Sequence, residues 1–88
     1  MLADLNWIAL RNMENWIYMN PILAKLLKAP QQRWEIQRIL TSTPKETNRI
    51  LRAGVDHGVI FYDRVYSGHA IYQLTTIGKV LLEEYENA

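Results

Sequence analysis

Apolar residues recur at helical spacing through the first half of the chain and switch to a strand pattern after Gly58. From Asp4 to Met19, the residues Leu5, Ile8, Ala9, Leu10, Met13, Trp16 and Ile17 predict a helix whose apolar arc spans about 200°, wider than one core-facing stripe requires. Trp7 and Tyr18 lie near its polar side, so part of its aromatic surface needs a cover that a monomer does not supply. Asn20-Pro21 then restarts the chain as a cap followed by a first helical residue, and Ile22, Leu23, Leu26 and Leu27 form a short stripe ending at Ala29-Pro30. A third helix is expected over Gln31 to Leu40, where Ile36, Ile39 and Leu40 alternate with Arg33, Glu35, Gln37 and Arg38. Thr41-Ser42-Thr43 is short enough to be only a corner between two helices.

The next helix, 44–57, has the clearest start. Thr43 is an N-cap, Pro44 suits the first helical position, and Glu46 is placed to complete a capping box. Thr47, Ile50, Leu51 and Val55 can face a core, which leaves Lys45, Asn48, Arg49 and Arg52 together on the solvent side. Gly58 suits the left-handed residue that ends a helix, and Val59, Ile60, Phe61 and Tyr62 are strand formers. A hairpin closed by Ser67-Gly68 brings the chain back through Tyr72 to Leu74. Thr75 or Thr76 then caps a last helix with Ile77, Val80, Leu81 and Tyr85 as its expected buried line.

At 88 residues the chain suffices for one domain, 1–88, with a modest core that oligomerisation would help. Its expected parts are an N-terminal helix (1–20) for dimerisation, a central unit (21–75) and a C-terminal helix (76–88). There is no cysteine, which excludes disulfides and thiolate metal sites and fits a reducing cytoplasm. No apolar run reaches the roughly 18 residues of a membrane span, and the amino terminus lacks a basic start and cleavage region, so a cytoplasmic protein without a membrane partner is expected.

Net charge is only +1, but its distribution is uneven: Lys25 to Arg52 holds seven Lys or Arg against Glu35 and Glu46, whereas the tail carries Glu83, Glu84 and Glu86. A basic middle is what a phosphate-facing surface requires.

In this order the pattern resembles the winged helix-turn-helix domain of small archaeal, bacterial or viral regulators of the MarR, ArsR and PadR type. The residues that carry the resemblance are Trp34-Glu35-Ile36-Gln37-Arg38-Ile39-Leu40, Thr43-Pro44-Lys45-Glu46-Thr47-Asn48-Arg49-Ile50-Leu51, His57-Gly58-Val59-Ile60 and Tyr72-Gln73-Leu74-Thr75-Thr76-Ile77-Gly78. It implies an α+β, mostly helical fold: a winged helix-turn-helix with an extra N-terminal helix and a two-stranded wing. It also implies a homodimer that binds double-stranded DNA as a transcriptional regulator, with helix 44–57 in the major groove and wing 62–71 on the flanking groove or backbone. Lys45, Asn48, Arg49 and Arg52 would then face DNA. Asn pairs bidentately with adenine and Arg with guanine, and the helix amino terminus offers N–H groups to a phosphate. Arg33 and Arg38 of the first motif helix, Thr43 at the cap of the second, and Arg64 and His69 beside the hairpin tip complete the candidate contacts. Leu5, Trp7, Ile8, Met13, Trp16 and Ile17 are the candidate dimer contacts. Gly54 stands where such helices usually carry a core leucine, which costs about 1 kcal/mol relative to Ala and predicts that another side chain, a tryptophan, packs against it.

Catalysis finds no support. His57 and His69 lie at a helix end and a hairpin tip with no cysteine or suitably spaced carboxylate to complete a metal site, and the acidic tail reads as a solvated face. Neither a cofactor nor a metal is expected. The competing expectation is a winged helix that binds protein rather than DNA, anchored by Trp34 and by Phe61, Tyr62 and Tyr66.

Overall fold

A computed structural model describes residues 2–64 and 69–88, with side chains from Trp7 onward. The elements run α1 (Leu2–Met19), α2 (Pro21–Leu26), β1 (Gln31–Gln32), α3 (Arg33–Leu40), α4 (Pro44–Asp56), β2 (Ile60–Arg64), β3 (Ala70–Leu74) and α5 (Thr76–Glu86). The three strands form an antiparallel sheet in the order β1-β3-β2, with Tyr62 opposite Tyr72 and Gln31 also opposite Tyr72 on the other edge. This is the mostly helical α+β architecture of a winged helix, with an added N-terminal helix. The hairpin turn at Ser67-Gly68, and Tyr66 beside it, lie outside the described residues.

One core joins all the layers. Trp16 and Ile17 from α1, Leu23, Ala24 and Leu27 from α2 and its exit, Ile36 from α3, Leu51 from α4, Val59 from the exit of α4, Ile60 and Leu74 from the sheet, and Leu81 and Leu82 from α5 are buried together. The two motif segments have plain structural reasons. Gly58 takes φ +80°, so the chain leaves α4 through a left-handed residue and delivers Val59 and Ile60 straight into the core. Thr75 caps α5 by accepting from the Gly78 N–H at 3.1 Å, while its hydroxyl donates to the Gly58 carbonyl at 2.7 Å. Gly78 itself is pressed on the Val59 carbonyl, where a Cβ would sit 2.3 Å from the oxygen. The threonine and glycine of the return thus fasten the last helix onto the exit of α4.

Gly54 receives Trp16, as its position predicts. A Cβ there would stand 2.8 Å from Cε2 and Cζ2 of the indole, and the indole Nε1 donates to the Ile50 carbonyl at 3.0 Å. The N-terminal helix is therefore locked across the face of α4 opposite its polar side.

Four expectations need correction. Gln31 and Gln32 do not begin the third helix but pair with β3, so the wing's two strands belong to a three-stranded sheet; the Gln32 N–H is taken by Glu35 Oε1 at 2.8 Å, which starts α3 one residue later. On α5 the buried line is Gly78, Leu81 and Leu82 with Tyr85 half-buried, whereas Ile77 and Val80 are exposed. Trp16 and Ile17 are core residues of their own chain, 5% and 1% exposed, and so are not available as dimer contacts; Met13 is likewise half-buried against that core. Asn20 stands at the N-cap position of α2 ahead of Pro21, but its side chain makes no capping hydrogen bond: Nδ2 donates to the Trp16 carbonyl at 2.9 Å.

Candidate nucleic-acid interface

The first turn of α4 is built as expected on the backbone side. Thr43 Oγ1 accepts from the Glu46 N–H at 3.1 Å, Pro44 occupies the first helical turn, and the buried Thr47 hydroxyl lies 2.7 Å from Ser42 Oγ across the helix-turn-helix corner. That corner turns through Thr41, a β-branched residue at φ +52°, whose hydroxyl donates to the Leu40 carbonyl at 2.7 Å. Thr43 is thus occupied by capping before it meets any ligand.

With Thr47, Leu51 and Gly54 buried, successive helical turns leave Lys45, Asn48, Arg49 and Arg52 exposed within an arc of about 100°. The structure divides this face between two flanks. On the wing side, Asn48 and Arg52 line a groove with Tyr62, Arg64 and Tyr72, where the two tyrosine rings lie 5.7 Å apart at 40°. This brings three candidates from α4 and the wing to one place, with Asp56 beside them. The two tyrosines in the groove carry no signal in the sequence that would assign them there; only the β2–β3 register places them opposite each other.

On the other flank, Arg49 turns toward Glu46, one turn earlier on α4. Arg49 Nε donates to Glu46 Oε2 at 3.2 Å and Nη2 donates to Oε1, a two-pronged ion pair on the surface. These hydrogen bonds hold the Glu46 carboxyl below its ordinary range and raise the Arg49 guanidinium above its own. Glu46 therefore does not complete the expected capping box, because its carboxylate is spent on Arg49.

The remaining candidates scatter. Arg33 is half-buried at the start of α3 and ties the two motif helices together by donating from Nη2 to the Pro44 carbonyl at 3.0 Å. It shares a crevice with Trp34, Gln37 and His69, so His69 meets the helix-turn-helix on the β1 side rather than beside Arg52. Arg38 lies in a separate groove with Leu26, Glu35 and Ile39. Among the described residues no three His, Asp or Glu side chains lie close enough together to hold a metal ion. No helix among them is long and apolar enough to cross a membrane.

Solved structures share this fold. A double mutant of Lactococcus lactis ZitR superposes with a TM-score of 0.67 at 16% identity, covering 88% of this chain and 50% of its own. Its apo form gives 0.66 at 15% identity over 98% and 62%. A MarR mutant from E. coli, solved in complex with operator DNA, gives 0.62 at 18% identity over 94% and 69%. The chain therefore has the winged-helix fold of MarR-type regulators while spanning half to about three fifths of the length of the ZitR structures. No protein-family model and no curated protein sequence matches it.

Proposed function

We propose that the chain is a sequence-specific double-stranded DNA-binding protein, a dimeric transcriptional regulator acting in the cytoplasm, with α4 in the major groove and the β2–β3 wing on the flanking groove or backbone. The observation that carries this reading is the exposed face of α4, where Lys45, Asn48, Arg49 and Arg52 stand together beside the wing's Arg64. The operator-bound MarR structure supports it by fold. Arg52 and Lys45 supply charge to phosphates, and Asn48 and Arg49 have the donor patterns that read base edges. Arg52→Ala should weaken binding to a random duplex about three- to tenfold and lower its salt dependence, equally for all sequences, without changing the melting temperature. A sharp loss of stability would instead place Arg52 in the fold.

The homodimer is part of the same proposal, with the interface moved off Trp16 and Ile17. Trp7 and Ile8 are 58% and 56% exposed, with Arg11 stacked 4.3 Å from the centroid of Trp7. Tyr18, whose ring lies 5.3 Å from Tyr85 of α5, is also exposed, as are Met19, Ile22, Ile77 and Val80. So many large apolar side chains on the two terminal helices and α2 favour contact with a second copy. Leu5 belongs to the same helix, but its side chain lies outside the described residues. Ile8→Glu should convert a light-scattering mass of two chains into that of one while the fold is kept, because Ile8 supports no core. A wild-type mass of one chain at high micromolar concentration would contradict the interface.

The protein-binding reading is supported by one observation. Trp34 and Ile39 on α3 are 58% and 50% exposed, at a site where a regulator bound to DNA through α4 does not need them.

A further inference from the structure

A guanidinium offers two usable edges, and at Arg49 one of them is already taken. Nε and Nη2 face the two oxygens of Glu46, so the N–H groups that remain, on Nη1 and Nη2, form a second fork on the adjacent edge of the same plane. That fork matches the paired acceptors O6 and N7 that guanine presents in the major groove. Both side chains stand near the amino-terminal end of α4, the part of a recognition helix that reaches base edges.

We propose that Glu46 is a positioning residue for base recognition: it holds Arg49 so that its outer edge reads a guanine. The inference rests on the DNA-binding reading and deepens it by naming the base and the residue that enforces it.

Glu46 acts in two ways that push affinity in opposite directions. By fixing a long side chain before contact, it reduces the freedom Arg49 would lose on binding a base. By placing a carboxylate among phosphates, it weakens binding wherever Arg49 finds no guanine to offset the repulsion. An unrestrained Arg49 would instead turn to the nearest phosphate and add affinity without selectivity. Both pair members are well exposed, with 45% and 71% of their side-chain surface open, so the pair has little structural work to do. A surface ion pair on the one helix face that carries the candidate base readers is accounted for by this role.

The test compares binding of the full chain to a randomised duplex library and then to the selected duplex and its single G·C-to-A·T variants. Wild type should select guanine at one position in each half-site, and Arg49→Ala should abolish that preference, which identifies the base Arg49 reads. Glu46→Gln should raise affinity for random duplex about threefold while lowering the preference for that guanine about tenfold. A purely structural role in the first turn of α4 would move the melting temperature and leave base preference intact. Duplex binding with a guanine preference unmoved by Glu46→Gln would overturn this inference alone. No binding to any duplex at low salt would overturn the DNA-binding reading and this inference with it.

Discussion

Trp16→Ala should lower stability by about 3–5 kcal/mol, a large share of the total for a chain of this size. Three losses fall on one side chain. The indole is 5% exposed at the centre of the core, its Nε1 hydrogen bond holds the Ile50 carbonyl, and its ring covers the bare backbone at Gly54. Alanine would leave a cavity between α1 and α4 that a helix pair cannot close without moving. Chemical denaturation followed by circular dichroism measures the loss; a cost under about 1 kcal/mol would mean that α1 is not docked on α4.

The pairing with Gly54 gives the prediction its specific form. Gly54→Ala should destabilise wild type, because the new Cβ meets the indole at 2.8 Å and overpacking typically costs about 1–3 kcal/mol. In a Trp16→Leu background the clash with the indole is removed, leaving only the movable end of Ile60, Cδ1 at 3.0 Å, and the helix propensity of alanine, about 1 kcal/mol better than glycine, should make the same change neutral or stabilising. A double-mutant cycle that reverses sign in this way would locate α1 on α4 independently of any structure.

Much of this fold is legible locally. Thr43 with Pro44, Gly58, and Thr75 with Gly78 each announce a helix end through chemistry that acts within a few residues, and each end falls where that chemistry puts it. The glycine at position 54 announces a long-range contact by omission: a helix that forgoes a side chain there needs something large beside it. What the sequence hides is set by partners far along the chain. Gln31 and Gln32 have no strand signal of their own and become β1 only because Tyr72 and Ile71 of β3 lie opposite. On α5 a periodicity built on aliphatic residues selects Ile77 and Val80, yet the helix is rotated so that Gly78 can approach the Val59 carbonyl, and a glycine contributes nothing to a hydrophobic pattern. On α1 an apolar arc of about 200° states that two surfaces are covered but not which residues serve which, so Trp16 and Ile17 look like interface until the core is seen. The α4 face is the most legible part of the candidate site. The Glu46–Arg49 pair is less so, because a capping box and an ion pair compete for one carboxylate and only the structure decides between them.

The measurement that bears most directly on the central proposal is the affinity for duplex DNA as a function of salt. Lys45, Arg52 and Arg64 on each subunit of a dimer give about six phosphate contacts, with Arg49 kept for the bases. Each neutralised phosphate contributes about −0.9 to the slope of log affinity against log salt, so the slope should be about −5. Between 50 and 200 mM salt this amounts to a loss of about 1,000-fold, larger than any single substitution should cause. Asn48→Ala should leave the slope unchanged while reducing the preference among sequences. Fluorescence anisotropy with a labelled duplex gives both numbers. A slope of about −5 on random DNA is the predicted result; no detectable binding at 50 mM salt, or a slope near zero, would contradict the assignment of α4 and the wing to DNA and favour a protein partner at Trp34 and Ile39.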